Sequence, residues 1–495
     1  MKGIVVFFCF FCLFSIANRH SAFNDPGTFF HTEVGNRIIR TSQFPVTDEF
    51  TCSRAGSPWI AQQWLGECIM SVLYRIGGWD SQFSAAVILL SYIFAMMAIS
   101  LLNSGVHVLL VLLIMCLALG ATTHHFLIRP HLFTIFFTFI AAKIFLHSEK
   151  MHSLSYLFAL IPVCMLWANL HGGVLSCFLS MLFLIILWRV FSIAGFKSPV
   201  SSNKDLTKGV LCLAACVAVC FLNPYGLELF KTWTNIMTNP AVGEKIIEHL
   251  PAYKLWWGWL SIAAGVLYLL AVVAVPLNKM RVIYLLPVVW FLLAIGRIRH
   301  APIFATYAVV VLPHFYSDIA WVKWLGTKGF LTFKMNESPA KMKLSTVVPV
   351  IFFCICLILQ YSGYEMPLAG RNWASPSGKI WPVEIISEMG KFSSKHADKK
   401  GVAVFNEMNF GGFLIHQVPG FKVFIDDRCE LHGDILNDFD EAKTNHLLIK
   451  KWDEKYSFFY ALTVPKSGYD NFFAGSSSWK KVAGCVAGNF YEKIY

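Results

Sequence analysis

The sequence predicts an α-helical polytopic membrane protein of about eleven transmembrane helices, followed by a C-terminal exoplasmic α/β domain. Three observations predict it. Only 14% of the 495 residues are charged and 56% are hydrophobic, whereas a soluble protein carries about 25% charged residues. Runs such as "FSAAVILLSYIFAMMAISLL" and "LYLLAVVAVPL" approach the roughly 20 apolar residues that cross a bilayer as helix. They are apolar all round, where a barrel would alternate over ten-residue strands. The chain then changes character at "YSGYEMPLAGRNWASPSG", whose Gly, Pro and Ser content marks a linker.

Taken in order, hydropathy places spans at 3–18, 82–102, 106–122, 131–147, 153–169, 174–192, 209–222, 255–275, 282–296, 302–317 and 344–362. Residues 1–362 thus form the transmembrane domain, and 19–81 its first exoplasmic loop. The first run, "MKGIVVFFCFFCLFSIA", combines a basic start, a short apolar core and a small-residue ending, which is also the pattern of a cleavable signal peptide. An uncleaved anchor is the expectation, and either reading leaves Asp25 outside.

If the first run enters from the cytoplasm, the inner segments carry fourteen Lys and Arg against four acids, and the outer segments before residue 363 carry eleven against nine. Basic residues therefore concentrate inside, as the positive-inside rule requires. From 363 onward sixteen basic residues balance sixteen acidic ones, so the net charge of +12 reports topology and excludes a nucleic-acid surface. In that tail, strand-like "VAVF", "FKVFI" and "YALTVP" alternate with helix-like "WPVEIISEMGKFSSKH" and "DILNDFDEAKTNHLLIKKW", which predicts an α/β domain over 363–495. An odd number of spans puts it outside. Most cysteines lie in apolar runs, where a thiol is a small hydrophobe. Cys52, Cys68, Cys429 and Cys485 face the outer compartment at spacings that define neither a disulfide framework nor a metal site.

Polar clusters interrupt the apolar text at "HHFLIRPH" (124–131), "WANLHGG" (167–173), "FLNPYG" (221–226) and "GRIRHAP" (296–302). Parity puts all four on the outer side, with "NDPGTFF" at Asn24–Phe30. Each has a plain structural reading. "NPYG" stops a helix, His171 caps one, the arginines snorkel to headgroups, and Asp25 forms an Asx-turn or cap. Together they place a ring of Arg, His and Asn around one acid at one interface. Such a ring suits a substrate with a lipid tail and a phosphate head, because guanidinium groups bind phosphate bidentately. Asp25 is then the candidate base. The substrate-binding candidates are Arg129, His131, Arg297, Arg299 and His300 for the phosphate, with Asn169, His171 and Asn223 shaping the pocket.

Across most of its length the chain resembles the multi-spanning GT-C glycosyltransferases, in particular an uncharacterised bacterial branch. The resemblance runs from "DPGTFFHTEVGNRIIRTSQFPVTDEFTCSRAGSPWIAQQWLGE" through "RPHLFT", "WANLHGG", "NPYG" and "RIRHAPIFA" to "VFNEMNFGGFLIHQVPGFKVFIDDR". It implies a polyprenyl-phosphate-sugar donor, an inverting transfer and a catalytic acid in the first outer loop, hence Asp25. It also implies a multi-pass protein of the bacterial inner membrane, acting on an acceptor in the envelope. Some branches use a divalent metal. Asp48 and Glu49 are candidates for a second carboxylate, although "FPVTDEFT" reads better as a turn before a strand. "FNEMNFGGFLI" loosely resembles the acceptor-holding "WWDYG" segment of oligosaccharyltransferases, without its paired Trp or its Asp. Asn409, with Asp426, Asp427 and Arg428 of "FIDDR", is a candidate acceptor surface, an internal Asp–Arg salt bridge being the alternative.

Two other classes compete with a transferase. A transporter or flippase places ionisable groups near mid-span, on helices broken in a repeated pattern. His107, Lys143 and His314 instead fall near span ends, and no repeat is evident. A non-catalytic envelope scaffold has no need of the Arg, His and Asp set.

Overall fold

A computed structural model describes residues 2–238, 246–329, 340–395 and 401–494, without the side chains of 340–346 and of Asp434. Lys334, Glu337 and His396, and the side chains of Lys341 and Lys343, lie outside the described residues. The first half of the chain forms α1 (Lys2–Ala17), α2 (Pro26–Thr41), α3 (Trp64–Asn103), α4 (Val108–Thr122), α5 (Leu132–Lys150), α6 (Leu160–Leu170), α7 (Leu175–Ile193), α8 (Asn203–Ala218) and α9 (Leu227–Thr238). After these come α10 (Gly258–Val273), α11 (Leu286–Gly296), α12 (Ala301–Val311), α13 (Ala320–Thr327) and α14 (Ala340–Tyr361). Each apolar run read from the sequence overlaps one of these helices, although 153–169, 209–222, 282–296 and 302–317 pass in part through 3-10 turns. Among the described residues, four helical segments are long and apolar enough to cross a membrane, at Trp64–Asn103, Val108–His125, Leu132–Lys150 and Gly172–Ile193. Shorter apolar helices lie at Lys2–Ala17, Leu154–Leu170, Gly258–Val273, Val282–Gly296 and Val347–Tyr361.

The stretch 19–81 is more ordered than a loop. Asp25 caps α2, with Pro26 in the first turn, the position where a missing N–H costs nothing. One face of α2 buries Phe29, Phe30, Val34 and Ile38. Helix α3 starts eighteen residues ahead of the hydropathy span because its first half is half-polar and packs on α2 rather than on lipid. It bends at Gly77–Gly78, where Gly78 has φ 64° and ψ −147°, a conformation open only to glycine. A Cβ on Gly77 would stand 2.6 Å from Cβ of Gln360, so the bend also admits α14.

The tail folds as α15 (Ile386–Ser394), β1 (Val402–Asn406), α16 (Gly411–Gln417), β2 (Phe421–Val423), α17 (Cys429–Glu441), α18 (His446–Tyr456), β3 (Tyr460–Thr463), α19 (Gly468–Gly475), β4 (Trp479–Gly484) and β5 (Asn489–Lys493). The sheet order is β2-β1-β3-β5-β4. β1 runs parallel to β2 and β3, and β5 antiparallel to β3 and β4. Strands β1 to β3 are the three runs legible in the sequence. The edge strand β4 exposes Lys480 and Lys481, which discourages edge pairing.

This domain does not hang free. Thr51 of the segment between α2 and α3 bridges Val423 in parallel, with the Cys52 amide donating to the Val423 carbonyl at 2.9 Å and the Val423 amide to the Phe50 carbonyl at 3.2 Å. Phe29 of α2 packs edge-on against Trp79, Trp381 and Phe413 at ring separations of 5.2, 4.8 and 5.2 Å, so α2 belongs to both cores. The linker is pinned by Asp80, whose carboxylate accepts from the backbone amides of Asn372, Trp373 and Ala374, each at 2.8 Å.

Candidate functional site

Asp25 sits where α2 begins. Its Oδ1 accepts from the Gly27 amide at 2.7 Å, and its Oδ2 from Arg129 Nη1 at 3.0 Å. Arg129 comes from the segment between α4 and α5, which is tied to the same helix start. Thr28 Oγ1 donates to the Ile128 carbonyl at 2.9 Å, and the Ile128 amide donates to the Ala22 carbonyl at 3.0 Å. Glu248 Oε1 approaches Arg129 Nη1 at 3.9 Å.

Asp427, in the turn between β2 and α17, completes the group. A Cβ built on Gly27 would lie 2.7 Å from Asp25 Oδ1, 3.0 Å from Arg129 Nε and 3.1 Å from Asp427 Oδ2. Glycine thus lets two carboxylates and a guanidinium close in on one point that any side chain would crowd. Burial opposes the charge on Arg129, but Asp25, Glu248 and Asp427 outweigh it and hold the guanidinium above its usual range. Burial first, and then Asp25, push Asp427 up to about 7, against the pull of Arg129. Glu248 is also desolvated, yet Arg129, His131, Arg299 and His124 lower its pKa and keep it ionised.

Behind this group lies a basic, histidine-rich wall. Arg299 Nη1 meets His249 Nε2 at 2.5 Å. The rings of His124 and His125 are 4.3 Å apart, those of His125 and His131 5.0 Å. Burial, with Arg299 and Arg297 beside it, lowers His249 to about 4, so it is neutral at physiological pH. Both ring nitrogens of His124 and Nδ1 of His125 and His249 are buried without a hydrogen-bond partner. His300 lies against Trp290 with ring centroids 5.6 Å apart, and Arg297 is exposed at the rim.

Several residues expected in the pocket are occupied by structure instead. Asn169 accepts from Trp64 Nε1 at 2.7 Å and donates to the Met165 and Leu222 carbonyls. Asn223 closes its own turn through Cys220, Tyr225 and Gly226. His171 accepts from the Gly173 amide at 2.9 Å and bonds Thr134 at 2.8 Å, as a helix cap. Asp426 and Arg428 are 0% and 5% exposed and paired with each other and with Asp48 at 2.7 Å. Their side chains therefore form an internal latch, not an open acceptor surface. Asp48 also accepts from the Phe50 and Thr51 amides and Glu49 pairs with Arg37, which is the turn reading of "FPVTDEFT". Asn409 is exposed. Glu248 was not singled out by the sequence reading. It stands in an aperiodic segment, "GEKIIEHL", whose charges carry no spacing that marks one of them as functional.

Among the described residues no group of three or more His, Cys, Asp or Glu side chains is placed to hold a metal ion. The acids here gather around a guanidinium, a donor set that does not fit a divalent cation.

The fold is similar to that of the oligosaccharyltransferase of Archaeoglobus fulgidus, known from a crystal structure of the apo form. The TM-score is 0.52 over 93% of this chain and 69% of that one, at 13% sequence identity. No protein-family model matches the sequence. No curated protein matches it. The likeness is one of fold, of the GT-C type, in a chain with several long apolar helices.

Proposed function

We propose that the chain is a GT-C-type membrane glycosyltransferase that moves a sugar from a polyprenyl-phosphate donor to an acceptor at the outer face of the bacterial inner membrane. The observation that carries the reading is the Asp25–Arg129 pair at the start of α2, backed by Arg299 and the histidines, in a fold similar to an oligosaccharyltransferase. The arrangement supplies what the reaction needs. The α2 N-terminus and Arg129 favour a phosphate; Arg299 adds a second positive charge, and neutral His249 adds a ring nitrogen without one. Carboxylates on the same point orient and deprotonate the acceptor. As the acceptor atom bonds to the anomeric carbon from the opposite face, the carbon–oxygen bond to phosphate breaks, and the polyprenyl phosphate leaves with that electron pair. This displacement inverts the anomeric centre. Domain boundaries at 1–362 and 363–495 and an outward-facing tail belong to the same proposal.

The test uses the full chain in lipid nanodiscs, incubated with polyprenyl-phosphate sugars and envelope extract. Sugar transfer is expected in the wild type, and a drop of about 10²–10⁴-fold in Asp25→Asn. A folded Asp25→Asn protein with undiminished transfer would sink the assignment, and solute uptake by reconstituted vesicles without donor turnover would favour a transporter.

A further inference from the structure

We propose that Asp427, brought in by the C-terminal domain, is a second catalytic carboxyl of this site and the group that takes the proton from the acceptor. The proposal rests on the glycosyl transfer proposed above. Asp25 is the more constrained of the two acids, since one oxygen is held by the Gly27 amide and the other by Arg129. Asp427 is held differently. Its Oδ2 joins Asp25 Oδ1 and Arg129 Nε around the missing side chain of Gly27, while its Oδ1 is shielded from solvent and accepts no hydrogen bond. A buried carboxylate oxygen without a donor is costly, and an acceptor O–H or N–H directed at it would supply the missing partner.

The surrounding turn fixes this residue toward the start of α2. Asp426 is tied to Arg428 and to His432 Nε2 at 3.1 Å. The Arg428 guanidinium lies 4.7 Å from the ring centres of both Phe30 and Trp59 and reaches Asp48. The residues on either side are thus locked inward, and the one between them points at Asp25 and Arg129. Asp25 from α2, Arg129 from the segment before α5, Asp426 and Arg428 from its own turn, and the adjacent Cys429 are the titratable or charged groups around it. Burial and the Asp25 charge favour its protonated form, and Arg129 and Arg428 limit that preference. The result is a base matched to neutral pH, which Brønsted behaviour favours. In the balanced step the acceptor's proton passes to Asp427 as its heavy atom bonds to the anomeric carbon, and the electron pair of the broken carbon–oxygen bond leaves on phosphate.

Asp427→Asn in the full chain, in nanodiscs with the donor that the wild type uses, tests this. Expected are a fall in kcat of about 10²-fold or more, an unchanged KM for donor, loss of the acid limb that the wild type shows near pH 7, and partial recovery in Asp427→Glu. Infrared spectra of the same samples should show a carboxylic-acid band titrating near pH 7 that vanishes in Asp427→Asn and titrates lower in Asp25→Asn. Asp427→Asn with wild-type kcat and pH profile overturns the role of Asp427 alone. A wild type that transfers no sugar from any donor overturns the glycosyl-transfer reading, and this proposal with it.

Discussion

Gly27 shows what one missing atom does at this site. A methyl group there would press on Asp25 Oδ1, Arg129 Nε and Asp427 Oδ2, side-chain atoms that yield at no more than the cost of the Asp25 cap on α2, about 1 kcal/mol. Gly27→Ala should therefore melt near the wild-type temperature yet lose about 10²-fold in transfer, as a displacement near 1 Å in reacting groups does; thermal unfolding and a transfer assay on one preparation check both. Asp427 carries the opposite balance. A carboxyl raised to about 7 in the folded chain, against about 3.9 unfolded, contributes stability below pH 4 and loses it as pH rises toward 7. Asp427→Asn should accordingly raise the melting temperature at pH 8 by a few degrees, on the order expected for 1 kcal/mol, and raise it less at pH 5. Asp25 and Arg129 were legible because an acid in an Asp-Pro turn and an arginine between two apolar runs are unusual against so apolar a text. Asn169 and Asn223 looked the same in sequence, but hydrogen-bond partners from distant segments, such as Trp64, decide whether an amide is free, and spacing does not show them.

At the scale of elements, the latch between the α2–α3 segment and the β2–α17 turn is a buried ion pair, and removing one partner of such a pair costs about 3–5 kcal/mol. Arg428→Met should lower the melting temperature sharply. Burial opposes ionisation of Asp426, but Arg428 and His432 more than compensate and depress its pKa. This carboxylate therefore contributes stability above its unfolded value of about 3.9, which is lost only as pH falls below that; an acid melt separates it from Asp427. A second joint is Asp80, since hydrogen bonds to a charged group are worth about 1.5–3 kcal/mol each and it accepts three from the linker. Asp80→Ala should open the 371–380 segment to limited proteolysis, which mass mapping of the fragments would show. Strands β1 to β3 were readable because parallel strands covered on both faces are near-continuous apolar runs. β4 and β5 were missed, since an edge strand carrying "WKKVAG" has no such run.

For the whole molecule, hydropathy located the apolar helices but not their length. Helix α3 begins eighteen residues ahead of the apolar run, a stretch that no bilayer argument would include, because this first part packs on α2. The proposed orientation predicts that a cysteine at Leu447, which is 72% exposed, reacts with a membrane-impermeant thiol reagent in intact spheroplasts, whereas one at Lys204, in the basic inner segment, reacts only after permeabilisation. Leu447 labelled only after permeabilisation would invert the topology and remove the donor site from the outer face.

The parallel bridge from Thr51 to Val423 and the seating of Phe413 on Phe29 bear on how the tail behaves when cut away. A fragment starting at residue 363 would keep its five strands but bare the β2 margin and a patch of rings, both adhesive in water. It should clump during expression and turn soluble only when a peptide spanning 25–61 is supplied in trans.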